Sequence, residues 1–286
     1  MRLKLPRTVT PPTQCADLES GSSQYFSKTS PTGMIFTDDF VVSAWVKLNA
    51  YNSGAKQQIA SRYNGTSGWT FSVTASAQIE LAGYNAGAGN YSIVTSYQSI
   101  PLNKWVHVSA QLDMSTFTAT TTTSYVMIDG VNVPASVARA GTNPTALVQA
   151  GNLEIGTANA AAFFNGKIAQ VAIYSAKVTQ ATILASMNQT LTGSETSLVS
   201  AYTFNGVITD LSANANNLTA SGGALAATVD SPMNATEYGI VMANSFSTNT
   251  TLTVQVPEGY SLPTTGGIGT VSYSTQKTPY GFPGAK

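Results

Sequence analysis

The sequence predicts an all-β protein: an antiparallel sandwich with one short helix, followed by a small β-rich module. Three observations predict this class. Residues 40–48 alternate strictly, with Phe40, Val42, Ala44, Val46 and Leu48 on one face, the period of a strand lying on a core. The alternation returns in Trp69, Phe71 and Val73, and again in Val106, Val108, Ala110 and Leu112. Asp129-Gly130, between Val126/Ile128 and Val131/Val133, is a hairpin signal, because a type I′ turn needs two positive φ angles that Asp and Gly tolerate.

Each element follows in chain order. Residues 1–13 are rich in Pro and Thr and read as an extended arm. Residues 18–26 include Gly21-Ser22-Ser23-Gln24-Tyr25-Phe26 and lead into a strand. In 40–48 the second face is partly apolar as well, through Val41 and Trp45, so this strand is expected in the middle of a sheet. Ile79 and Leu81 give a short partner for 69–73. Residues 83–91 read as a flexible Gly-rich loop, 114–124 as a solvated strand or loop, and 134–152 as a loop. Residues 167–174 form another strand. The one credible helix follows it: Thr179 is an N-cap candidate, Val178 and Ile183 can form a hydrophobic staple, and Ile183, Leu184, Met187 and Leu191 line one side. Residues 198–206 and 210–219 should pair with the early strands and close the sandwich near 229. Residues 231–286 are punctuated by Pro257, Pro263, Gly266, Gly267, Pro279 and Pro283. They bury too little to stand alone and read as an attachment module.

Four segments recur in this order in one kind of sandwich: 40–48, then 104–113 (Lys-Trp-Val-His-Val-Ser-Ala-Gln-Leu-Asp), then 125–130 (Tyr-Val-Met-Ile-Asp-Gly), then 153–156 running on to 164–174. Together with 198–219 they resemble the laminin-G-like, concanavalin A-like jelly rolls, in particular their bacterial and phage branch. The resemblance implies a sandwich over 14–230 that binds glycans or proteins and catalyses nothing. Where relatives carry two acidic residues, this chain has Ala169 and Gln170, which weakens any carboxylate role there.

Composition narrows the function. Charged residues make up 9% of the 286, with 13 Lys plus Arg against 13 Asp plus Glu, where ordinary soluble domains carry roughly 25%. Such a chain lacks the clustered positive charge that nucleic acid requires. No run of 18 apolar residues exists, so no membrane insertion is expected. No apolar stretch follows the basic start at Met1-Arg2-Leu3-Lys4, so no signal peptide is expected either. The single Cys15 excludes an internal disulfide. Catalytic sets are also missing. Asp17-Leu18-Glu19 offers two carboxylates without the third of a Glu-x-Asp-x-x-Glu glucanase strand, and reads as a solvated edge strand. His107 is the sole histidine and can form neither a triad nor a zinc cluster.

Two binding chemistries remain. Sugars stack on aromatic rings and hydrogen-bond to amides and hydroxyls. Tyr63, Asn64, Tyr84, Asn85, Asn90 and Tyr91 supply both in two neighbouring loop regions, near Trp69, itself expected in the core. Resemblance to laminin-G-like domains also implies Ca²⁺ at a loop rim. Asp38, Asp39, Asp210 and Asn214 carry the oxygen ligands it prefers, though turns and helix caps use the same side chains. The expected setting is the surface of a phage virion (a decoration, fibre or tail-associated subunit), with other virion structural proteins or copies of itself and a host-surface glycan as partners. The alternative is a bacterial extracellular or cell-surface adhesin.

Overall fold

The computed structural model describes residues 14–36, 39–52, 54–85, 90–113, 123–141 and 151–232, and the backbone of two short strands beyond them. The expected arm at 1–13 lies outside these residues. In chain order the strands are β1 (Cys15–Leu18), β2 (Tyr25–Lys28), β3 (Phe40–Leu48), β4 (Gln57–Tyr63), β5 (Gly68–Val73), β6 (Gln78–Asn85), β7 (Asn90–Ser99) and β8 (Val106–Leu112). They continue as β9 (Tyr125–Ile128), β10 (Val131–Val133), β11 (Ala135–Ala140), β12 (Leu153–Ile155) and β13 (Gly166–Tyr174). Helix α1 (Gln180–Met187) precedes β14 (Leu198–Tyr202), β15 (Thr219–Ser221) and β16 (Leu225–Thr228).

The strands form two antiparallel sheets. Sheet 1 runs β10-β9-β8-β3-β13-β1-β16, with β14 also on β13, and sheet 2 runs β11-β7-β6-β5-β4-β12-β2-β15. The predicted period-2 faces meet between them: Phe40, Val42, Ala44, Val46 and Leu48 pack with Trp69, Phe71, Val73, Val106, Val108, Ala110 and Leu112 in one buried core. Trp69 is fully buried, with its ring near those of Phe36 and Phe40. β3 is central, as its two apolar faces require. Asp129 and Gly130 take φ of 49° and 73°, the predicted turn, and Asp129 Oδ1 accepts the His107 N–H at 2.9 Å to brace it.

Both faces of sheet 1 are covered. Thr179 caps α1 by accepting the Thr182 N–H, and the helix lays Ile183 over Val41, Met127, Ala172 and Tyr174. Leu184 is 41% exposed rather than buried with them. Gln170 sits at a bulge of β13 with φ 47° and donates to Ser186 O of the helix. The first part of β13 therefore pairs with β1 and its last part with β14.

Three expectations fail. Residues 83–85 and 90–91 belong to a hairpin of β6 and β7, and only 86–89 lie outside the described residues. Gly83 is opposite Trp69, where the absence of a side chain makes room for the ring rather than a loop. Residues 135–140 are a strand, the edge partner of β7. β1 is not a solvated edge: it lies between β13 and β16, and Asp17 is near Lys167.

Beyond Thr236 the chain forms a separate unit. Its described part is one antiparallel pair, β17 (Thr251–Val254) with β18 (Gly269–Ser272).

Candidate functional site

Among the described residues, sheet 2 carries no helix on its outer face. Inward Trp69, Phe71 and Val73 force Gly68, Thr70 and Ser72 outward. Register then aligns Tyr63, Gly68, Tyr84, Tyr91 and Ala140 in one row across β4, β5, β6, β7 and β11. Gly68 leaves a gap in that row. The rings of Tyr63 and Tyr84 close over it, 5.3 Å apart and inclined at 51°. Only glycine fits: φ is +116°, and a Cβ would lie 1.9 Å from Arg62 O.

Polar groups surround the rings. Tyr63 donates to Gly65 O at 2.6 Å, and the Tyr84 hydroxyl pairs with the Thr70 side chain. Burial raises the Tyr84 pKa above the ordinary phenol value, so the hydroxyl stays protonated. Lys56 and Glu80 form an ion pair on the same face. Burial alone would lower the Lys56 pKa, but Glu80 outweighs it and the net shift is upward. Asn85 and Asn90 are directly opposite each other at the end of the β6–β7 hairpin. Asn64 acts locally. Its Oδ1 accepts from Thr66 N, Thr66 Oγ1 and Ser67 N and shapes the β4–β5 turn. Thus Tyr63, Tyr84 and Tyr91 share one row, and the Asn85–Asn90 pair, one residue further along β6 and β7, alternates to the other face of the sheet.

The proposed metal ligands separate into two places, and Asp38 lies outside the described residues. Asp210 is held in its loop. Its two oxygens accept five hydrogen bonds, from Ser200, Ala201, Ser212 (twice) and Asn216. Asn214 donates to Val199 O in the same loop. A cation there would have to displace these donors, so the fit is poor. Asp39 and Asp113 also hold donors: Gln111 Nε2 donates to Asp39 Oδ2 at 3.2 Å and Thr123 N to Asp113 Oδ2 at 2.9 Å. Asp39 Oδ2 and Asp113 Oδ2 both lie within hydrogen-bonding reach of Thr123 Oγ1, which brings two buried carboxylates together at the rim of the sandwich. Among the described residues no three His, Cys, Asp or Glu side chains gather as a metal group.

His107 and Cys15 are structural. His107 is buried edge-on to Trp45, and burial pushes its pKa down to about 3. Cys15 is buried, and its thiol is pushed up to about 12, first by desolvation and then by Asp230. Sequence reasoning missed Thr70, Asp113 and the Lys56–Glu80 pair. Only strand register brings them to these sites, and no local motif announces it.

The sequence profile of the concanavalin A-like lectin/glucanases superfamily matches residues 20–184. The chain belongs to this superfamily. Its jelly-roll architecture agrees with the two sheets described above. A solved candidate carbohydrate-binding protein from Bacteroides ovatus is similar, at 18% identity and a TM-score of 0.57, over 78% of this chain and 62% of that one. The superfamily member described here thus spans less than two thirds of that protein's length. A heptameric SAP-like pentraxin from Limulus polyphemus has 13% identity and a TM-score of 0.41, with 71% and 93% of the two chains covered. The CBM40 of a Ruminococcus gnavus IT-sialidase has 12% identity and a TM-score of 0.42, with 52% and 83% covered. At 18% identity the likeness to the Bacteroides protein shows the fold alone. No curated protein matches the sequence.

Proposed function

We propose that the sandwich is a non-enzymatic glycan-binding domain, and that the sugar lies on the outer face of sheet 2 across Tyr63, Tyr84 and Tyr91. The observation that supports this is the row of tyrosines with a glycine gap, on the face that no helix covers among the described residues. The partly exposed rings supply stacking surface, and the Tyr84 hydroxyl beside Thr70 supplies a polar partner. On this face Lys56 is paired with Glu80, and Glu154, opposite Ser61, adds a carboxylate that accepts from Asn159 N, a charge pattern that favours an uncharged saccharide over an acidic one. The missing third carboxylate beside Asp17 and Glu19, and the buried neutral His107, support binding without hydrolysis.

The setting we propose is a phage virion surface, where many copies would strengthen weak sugar contacts. A bacterial extracellular or cell-surface adhesin is equally compatible with the fold. Mass spectrometry of purified particles and of cell envelopes separates the two. If Ca²⁺ takes part, Asp39 and Asp113 are the residues proposed to hold it. A thermal melt that does not move between excess Ca²⁺ and chelator removes the ion from the proposal.

A glycan array tests the binding. The wild type should give saccharide hits that weaken about tenfold in Tyr84→Ala and Tyr91→Ala, with the β-rich circular dichroism spectrum retained in both. Hits that persist at full strength in both variants would remove this face from consideration.

A further inference from the structure

A second concavity lies at the far end of β4 from the tyrosine row. It has a volume of about 220 Å³ and is lined by Ser20, Ala50, Tyr51, Asn52, Gln57, Phe163 and Asn165. β4 runs from Gln57 at this pocket to Tyr63 at the row, about 20 Å along a strand. The two places are therefore separate.

The pocket is preformed. Gln57 is buried and uses both ends of its amide, donating to Ala50 O at 2.9 Å and accepting from Asn165 N at 2.9 Å. That ties the β3–β4 loop to the segment before β13. Phe163 is held by its ring contact with Tyr25, at 6.0 Å between centroids. Tyr51 donates to Ile100 O at 3.1 Å, which fixes its ring, and the residue remains 49% exposed. Asn165 Oδ1 is buried and receives no hydrogen bond.

We infer that this pocket is a second ligand site, for the terminal ring of an uncharged saccharide. None of its lining residues carries a charge, which disfavours an acidic or basic ligand. Two aromatic rings offer apolar surface to the C–H face of a pyranose, and Asn52 and Ser20 offer partners to its hydroxyls. The volume falls below the roughly 300–1,000 Å³ of pockets that take drug-sized ligands, so it suits one sugar ring rather than a chain. This inference stands apart from the tyrosine row. Either site can fail without the other.

Saturation-transfer NMR on the full chain tests it, with the methyl glycosides of glucose, galactose, mannose and N-acetylglucosamine as probes. At least one glycoside should bind saturably. Its affinity should fall about tenfold in Tyr51→Ala and in Asn52→Ala. Tyr51→Phe keeps the ring and loses only the hydroxyl that serves Ile100, so it should bind like the wild type. Tyr84→Ala, which tests the other site, should bind normally too. The inference is overturned if no glycoside binds at millimolar concentration. It is equally overturned if Tyr51→Ala binds as well as the wild type, or if the signal is lost in Tyr84→Ala instead.

Discussion

Asp230 gathers the end of the sandwich, and replacing it by Ala should cost much of that fastening. Its Oδ1 accepts from Trp105 Nε1 at 2.8 Å, and its Oδ2 accepts from Lys47 at 2.9 Å and Lys167 at 2.7 Å. These donors come from β3, β13 and the residue before β8, so one carboxylate spans three strands of sheet 1. A hydrogen bond to a charged group contributes about 1.5–3 kcal/mol when buried, and partial exposure trims each to about 1. Asp230→Ala should therefore destabilise by about 2–3 kcal/mol. In a domain of this size that lowers Tm by about 5–10 °C. Asp230→Asn keeps the acceptor for Trp105 and should lose roughly half as much. The pH dependence follows from the same contacts. Burial alone would raise the Asp230 pKa, but Lys167, Trp105 and Lys47 outweigh it and hold it down from 3.8 to about 2. The unfolded carboxylate takes up its proton first. The stabilisation is thus complete above about pH 3.8 and vanishes as pH falls through about 2. Differential scanning calorimetry of wild type and Asp230→Ala from pH 6 to pH 2 reads both effects. A Tm change below about 1 °C at pH 6, or a gap that does not narrow between pH 4 and pH 2, would remove Asp230 as the fastener.

Three further outcomes are expected. Gly68→Ala should destabilise by more than about 2 kcal/mol in urea unfolding, since its φ of +116° and the Arg62 carbonyl both oppose a Cβ; a neutral change would show that the strand shifts freely there. His107, lowered by burial from 6.5 to about 3, favours the folded state above pH 6.5 and costs stability as pH falls toward 3. His107→Gln should flatten that part of the stability profile, and an unchanged slope would remove His107 as its source. A fragment of residues 14–236 keeps the Asp230 contacts and should melt cooperatively as a monomer; an unfolded fragment would make the residues after 236 part of the core.

Most of the sandwich is readable in the chain because each sheet has a strongly alternating strand at its centre. Phe40 to Leu48 and Trp69 to Val73 declare their inward faces, and Asp129-Gly130 declares its turn. The strands missed are those whose inward positions are small or polar. β7 turns Ser92 and Ser96 into the interior beside Val94, and β11 is an edge of Ala, Ser, Val and Arg, so neither shows a clean period. The tyrosines are legible as residue types, but their contact is not. It depends on register across three strands and on Gly68 between them. Tyr51, Phe163 and Asn165 escape for a similar reason: two loops far apart in sequence meet only because Gln57 ties them. Asp210 illustrates the converse. Its acidic side chain in a loop suggests calcium, while the backbone and hydroxyl donors of that loop already surround it.

Saccharide binding on the outer face of sheet 2 is what the tyrosine row implies above all. An amide NMR titration of the full chain, with the best saccharide from the array, reads it residue by residue. Saturable shifts should concentrate at residues 63–70, 82–85 and 90–93, and should be lost in Tyr63→Ala and Tyr84→Ala. Shifts that spare these residues and cluster on the helix-covered face of sheet 1, or binding that both variants retain in full, would rule this face out.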